Sequence, residues 1–250
     1  MAKYLIWDFD DTLGHRAEGK WTASLVKVLQ IEMPDFPVQA EAIRPHMQSG
    51  FPWMSPDAPH THITSADAWW ESLHPLFART FRSIGFPSDE ADYLAREVRH
   101  VYADPSAWRL FDDTQPTLRE LADSGWRHCM LSNHVPELPL ILSHLGILEE
   151  FAAVVNSAEI GYEKPHPQAF KRVLDLLREP EAVWMIGDSY EMDIAGARAL
   201  GIPGILVRKT HPQAEHCCAD LLGVIGILSG ADGVSNRCAA GNIGGITPPG

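Results

Sequence analysis

From Gly125 onward the chain alternates short apolar runs with longer helical patterns, and this alternation limits the fold more than any other feature. Residues 127–132, 152–155, 183–186 and 204–207 read as strands. Between them, 135–145, 167–178 and 190–200 read as helices. Gly146 and Gly201 stop the first and third helices, and Pro167 opens the second, where its missing N–H costs nothing. Alternating β and α elements imply a parallel sheet with helices on both faces, an α/β Rossmann-like core. In such sheets ligands bind beyond the carboxyl ends of the strands.

The residues at those ends carry the chemistry. The run Tyr4-Leu5-Ile6-Trp7-Asp8-Phe9-Asp10-Asp11-Thr12-Leu13 reads as a first strand that finishes on two carboxylates, Asp8 and Asp10. Side chains two apart on a strand lean to the same side. Two such carboxylates need a cation, a shared proton or water to coexist. In different protonation states they supply a nucleophile and an acid/base. Leu131-Ser132-Asn133 ends the second core strand, where a hydroxyl and backbone N–H groups suit a phosphate oxygen. Lys164 stands in Gly161-Tyr162-Glu163-Lys164-Pro165-His166-Pro167, a restricted backbone after the third strand. Gly187-Asp188, with Asp193 five residues on, follows the fourth and offers carboxylates to a hard cation.

Together these four motifs, in this order, resemble those of the haloacid dehalogenase superfamily, in its phosphatase form D-x-D-x-T. The resemblance covers roughly residues 3–210. It implies a Mg²⁺-dependent phosphatase of small phosphorylated metabolites. By the resemblance Asp8 is the nucleophile, Asp10 the acid/base and Lys164 a catalytic cation. Thr12, Ser132, Asn133 and Lys164 bind the substrate. Asp8, the Asp10 main-chain carbonyl, Asp188 and Asp193 belong to the metal site, with Asp193 acting directly or through water. A halide needs no proton to leave, so Asp10 argues against a dehalogenase. A 2-haloacid dehalogenase or a sugar-phosphate mutase of the same superfamily is the alternative enzyme. A non-catalytic binding protein on the same fold is the alternative outside enzymes.

The segment from Gly14 to Trp108 breaks the alternation and reads mainly as helices, 21–30, 38–47, 65–84 and 88–103. Ser88, with Asp89 and Glu90 behind it, reads as a helix start. By position and helicity the segment resembles the superfamily's helical (C1-type) cap. The expected organisation is a core of residues 1–14 and 109–230, a cap of 15–108, and a flexible Gly-rich tail of 231–250. Asp104-Pro105 and the stretch near Gly14 are candidate hinges. Trp69-Trp70 and Trp108-Arg109-Leu110-Phe111 resemble a branch of capped hydrolases within the superfamily.

The net charge of −13 argues against nucleic acid, which needs a basic face. It also means that an anionic substrate needs local positive charge. No apolar run is long enough to span a bilayer, and the N-terminus enters a strand pattern without a signal segment. Cys129, Cys217, Cys218 and Cys238 show no C-x-x-C spacing and do not suggest a disulfide framework, so a cytoplasmic location is expected. A monomer or homodimer without membrane contact is expected. His60 and His62 read as surface histidines of a cap loop, and His134, next to Asn133, reads equally as a substrate contact or as part of a helix's N-terminal turn. Asp112 and Asp113 read as solvated or capping carboxylates, and Asp11 as facing away from the metal.

Overall fold

The structure is a computed structural model describing residues 2–178 and 180–230. Its strands are β1 (Ala2–Trp7), β2 (Gly14–Arg16), β3 (Trp108–Leu110), β4 (Trp126–Ser132), β5 (Phe151–Asn156), β6 (Pro180–Gly187), β7 (Gly204–Val207) and β8 (His216–Cys218). Six of them form one parallel sheet in the order β5-β4-β1-β6-β7-β8. The helices are α1 (Trp21–Glu32), α2 (Ala40–Ile43), α3 (Ala66–Ser83), α4 (Ser88–Tyr102), α5 (Thr114–Asp123), α6 (Leu138–His144), α7 (Ser157–Ile160), α8 (Pro167–Leu174), α9 (Gly196–Arg198) and α10 (Leu222–Ser229).

Central β1 shows why the sheet is covered on both faces. Leu5 and Trp7 pack into one buried cluster with Leu118 and Leu121 of α5 and Leu138, Ile141 and Leu142 of α6. Tyr4 and Ile6 point the other way, into a cluster with Ala169, Phe170 and Val173 of α8. A strand buried on both faces reads as an unbroken apolar run, as Tyr4-Leu5-Ile6-Trp7 does.

The α/β architecture and the parallel sheet expected from the alternation are present, with differences at element ends. The expected helix from 135 begins at Leu138, and the one from Pro167 ends at Leu174. The fourth expected strand is longer, Pro180–Gly187. The expected helix from Tyr190 is a π-helical turn, Tyr190–Ala195, running into α9. The expected helix 38–47 is broken: α2 gives way to a 3₁₀ turn, Arg44–Met47, with Pro45 in its first turn. Pro87, not Ser88, occupies the N-cap of α4, and Ser88 is the first helical residue. The short β2–β3 pair and β8 carry too few residues for a periodic signal.

β2 and β3 pair antiparallel and join the inserted helical unit to the sheet on both sides. The arms of the unit are α3 and α4, whose inward residues Trp69, Leu73, Phe77, Leu94 and Val98 are almost fully buried. Cys129 and Cys218 carry free thiols. Cys217 is disulfide-bonded, which departs from the expectation for the cysteines. The expected tail, 231–250, lies outside the described residues. Among the described residues no helix is long and apolar enough to cross a membrane.

Candidate active site

Asp8 emerges from β1 with its N–H bonded to the carbonyl of Ile186 on β6 (2.9 Å), so its backbone is still held by the sheet. Beyond it the chain turns sharply. The N–H groups of Thr12, Leu13 and Gly14 all converge on the Phe9 carbonyl, and Asp11 adopts a left-handed φ of 59°. Asp and Asn tolerate that region better than other non-glycine residues. The Phe9 side chain is buried against the rings of Trp108 and His134, which anchors the turn.

Three side chains hold the Asp8 carboxylate. Ser132 Oγ, at the end of β4, donates to Oδ1 (2.9 Å), and Lys164 Nζ donates to the same oxygen (2.7 Å). Thr12 Oγ1 approaches Oδ2 at 3.4 Å. Lys164 is fully buried and also bonds Asp193 Oδ1 (2.6 Å). Burial works against its ammonium, but Asp193 and Asp8 outweigh burial and raise its pKa. Asn133 clamps the Lys164 backbone from both sides. Its Oδ1 accepts from the Lys164 N–H (2.7 Å), and its Nδ2 donates to the Lys164 carbonyl (3.0 Å). The Asn133 amide therefore positions Lys164, and Asn133 also lines the cavity over the site.

Asp193 sits on the π-helical turn, with Oδ2 accepting from the Ser189 N–H (3.0 Å). Burial pushes its carboxyl up, against the opposing pull of Lys164. Gly187 makes this approach possible, since a Cβ there would lie 2.2 Å from Asp193 Oδ2. The carboxylates of Asp8, Asp188 and Asp193 are buried and lie within 4.8 Å of one another. Burial first, and then Asp8, raise the Asp188 carboxyl, and Lys209 Nζ bonds its Oδ2 (2.5 Å). Three crowded carboxylates form a set of hard oxygen donors suited to a divalent cation. The Asp10 side chain is not part of this group.

Asp10 differs in kind from Asp8. Its Oδ1 is buried and has no partner, and burial raises its carboxyl to about 6 against the opposing charge of Lys20. Lys20, just before α1, lies 3.4 Å from Asp10 Oδ2 and 2.9 Å from Asp11 Oδ2. Asp11 thus stands outside the acidic cluster, as its phase suggested, and is occupied by Lys20. A cavity of about 310 Å³ opens over these groups, with Trp21, Trp53 and Tyr102 of the helical unit on its far side.

The sequence reading missed several of these residues. Lys209 lies just past β7, where the strand-end rule that located the other motifs applies equally. His60, expected at the surface, is buried, and His134 is buried on the loop that precedes α6. His60 Nε2 pairs with Glu163 Oε1 (3.0 Å), and the Thr61 backbone presses on Gly161, where a Cβ would lie 2.5 Å from Thr61 Cα. On the other side Glu137 accepts from Trp70 Nε1 (3.0 Å) and Arg99 Nε (3.0 Å). These two carboxylates bind the helical unit to the loops that follow β4 and β5. Asp113 ties Arg208 Nη2 (2.6 Å) to the Leu221 N–H (2.8 Å), a structural role.

The family model for haloacid dehalogenase-like hydrolases matches residues 2–201. The chain belongs to the haloacid dehalogenase-like hydrolases. Among similar members is the haloacid dehalogenase-like hydrolase domain-containing protein 3 of Bos taurus, 28% identical, with 95% of this chain and 98% of that protein covered. The glyceraldehyde 3-phosphate phosphatase of Methanothermobacter thermautotrophicus is 36% identical over 43% of this hydrolase and 48% of its own length. Among solved structures, the magnesium-bound HAD-hydrolase YfnB of Bacillus subtilis superposes with a TM-score of 0.70 at 18% identity. That match covers 91% of this chain and 99% of YfnB and supports the shared fold.

Proposed function

We propose that this hydrolase is a Mg²⁺-dependent phosphatase of small phosphorylated metabolites that works through an aspartyl-phosphate on Asp8. One observation carries the reading. A carboxylate fixed through one oxygen by Ser132 and Lys164 stands two residues from a half-buried carboxyl, Asp10, whose Oδ1 is buried and has no partner. The first arrangement suits a nucleophile and the second an acid/base. The phosphoserine, glyceraldehyde 3-phosphate and phosphoglycolate phosphatases among the relatives support the same class.

In this reading an Asp8 carboxylate oxygen attacks phosphorus as the bond to the leaving oxygen breaks. Asp10, whose proton-bearing form is favoured because burial raises its carboxyl to about 6, gives that oxygen its proton. Asp10 then takes a proton from the water that attacks the aspartyl-phosphate, releasing phosphate and restoring Asp8. Lys164 orients Asp8 and places positive charge beside the transferring group, and Ser132 donates to its oxygens. Asn133 and Asp193 keep Lys164 in place. Asp8 and Asp188, with the Asp10 main-chain carbonyl, would hold Mg²⁺. Both Asp193 oxygens are engaged, by Lys164 and by the Ser189 N–H, so Asp193 would act by orienting Lys164. The ion would supply the positive charge that lets a carboxylate approach an anionic ester.

Residues 15–108 would form the cap over a core of 1–14 and 109–230, with the β2–β3 pair as its double linker. The cytoplasmic location belongs to the same reading; the free thiols of Cys129 and Cys218 support it, and the disulfide-bonded Cys217 counts against it. Nucleic acid and membrane form no part of it. The test is phosphate release from p-nitrophenyl phosphate. Turnover with Mg²⁺ that stops with EDTA is the expected outcome. Equal turnover in both, or none in either, contradicts the reading.

A further inference from the structure

On the phosphatase reading the cavity must also house the leaving group, and His134 is among its lining residues. His134, on the loop after β4, is 4% exposed, and its Nε2 is buried without a hydrogen-bond partner. The ring is fixed between Phe9 and Trp108, with centroids 5.6 and 4.9 Å away, and the His134 backbone N–H donates to Ser157 Oγ (3.2 Å). Burial pushes the imidazole down to about 4, so it is neutral at physiological pH. Its Nδ1 faces the Val135 carbonyl at 3.4 Å. A carbonyl only accepts, so this contact places the ring proton on Nδ1 and leaves Nε2 as a bare acceptor. A buried acceptor without a donor costs free energy until one arrives.

The charges around the cavity point the same way. Lys20, Lys164 and Lys209 are its cationic lining residues, and each is already paired with carboxylates. Those carboxylates, Asp8, Asp10, Asp11, Asp188 and Asp193, outnumber the ammonium groups. A divalent cation would about balance the phosphate it carries and leave no positive charge over for a second anion. Beyond the acids, the rings of Trp21 and Trp53 supply apolar surface for a small carbon skeleton.

We propose that this site takes the monophosphate of a small neutral polyhydroxy alcohol, a polyol or sugar. One free hydroxyl of that alcohol donates to His134 Nε2, and a carboxylate in its place is rejected by the surrounding acids and the bare imidazole nitrogen. His134 is then a specificity-determining residue, and the inference rests on the phosphatase reading above.

The experiment compares kcat/KM, with Mg²⁺, for two matched pairs. Phosphoglycolate differs from 2-hydroxyethyl phosphate by a carboxylate in place of a hydroxymethyl group. Propyl phosphate differs from glycerol 1-phosphate by its missing hydroxyls. The wild type should favour 2-hydroxyethyl phosphate over phosphoglycolate by at least about 10-fold, and glycerol 1-phosphate over propyl phosphate by about 100-fold or more. His134→Phe keeps a ring and removes the acceptor, so it should cut the second ratio at least about tenfold. Preference for phosphoglycolate, or an unchanged ratio in His134→Phe, overturns the proposal. If that variant does not fold, the wild-type ratios decide alone. Wild-type turnover of p-nitrophenyl phosphate without either preference defeats only the substrate inference. No turnover of any ester defeats the phosphatase reading and this inference together.

Discussion

The two ends of the cavity are built on opposite plans. At the phosphate end every polar group is tied down. Asp8 is held by Ser132 and Lys164, Lys164 by Asp8, Asp193 and Asn133, and Asp193 by Lys164 and the Ser189 N–H. At the leaving-group end, Asp10 Oδ1 and His134 Nε2 are buried with nothing to bond. The lesson is a division of labour. Satisfied groups fix a geometry that stays the same from substrate to substrate, while unsatisfied groups wait for atoms that only the right substrate brings.

If the phosphate end is the fixed part, its changes should cost most. Asp8→Asn should lower kcat by on the order of 10⁴-fold or more, measured as phosphate release, with an unchanged fold. Asp10→Asn should cost about 10²–10⁴-fold, the usual span for a lost acid/base. Lys164→Met leaves Asp8 and Asp193 buried without their counter-charge, and should lower unfolding free energy by about 3–5 kcal/mol in a denaturant titration. Gly187→Ala drives a Cβ into Asp193 and should cost about 1–3 kcal/mol, with activity lost alongside.

The leaving-group end should show itself in pH dependence. Asp10 must carry a proton to act as acid, and its carboxyl is raised to about 6. The kcat/KM profile should therefore fall as pH rises through about 6. Lys20 pulls that value down, so Lys20→Met should move the falling limb to higher pH. A limb that stays in place would separate Lys20 from Asp10. An effect on stability alone belongs to the contact between the helical unit and the lysine loop. His60→Ala removes the partner of the Glu163 side chain seen among the described residues and should cost about 1–3 kcal/mol by thermal melt.

The phosphate end was readable in the sequence because parallel strands deliver their last residues to one edge. Asp8, Ser132, Lys164 and Asp188 each follow an apolar run, so order and spacing sufficed to bring them together. Asn133 follows the same run, but its grip on the Lys164 backbone depends on a loop conformation that spacing does not encode. The leaving-group end was not readable in the same way. His134 reads in the sequence equally as a substrate contact and as a residue of a helix's N-terminal turn, and its burial comes from Phe9 and Trp108, residues distant in the chain. Trp21, Trp53 and Tyr102 reach the cavity from separate elements of the helical unit, where periodicity reveals a buried side but not what it faces. Asp193 was found by motif, yet its orientation follows from a π-helical turn where an ordinary helix was expected.

Trapping the covalent intermediate tests the central claim most directly. Wild-type enzyme mixed with excess p-nitrophenyl phosphate and Mg²⁺, quenched in acid during turnover and digested, should yield an N-terminal peptide phosphorylated on Asp8. The peptide from Asp8→Asn should carry no phosphoryl group. A phosphoryl group on another residue, or rapid phosphate release with no modified peptide at any quench time, would contradict Asp8 as the nucleophile.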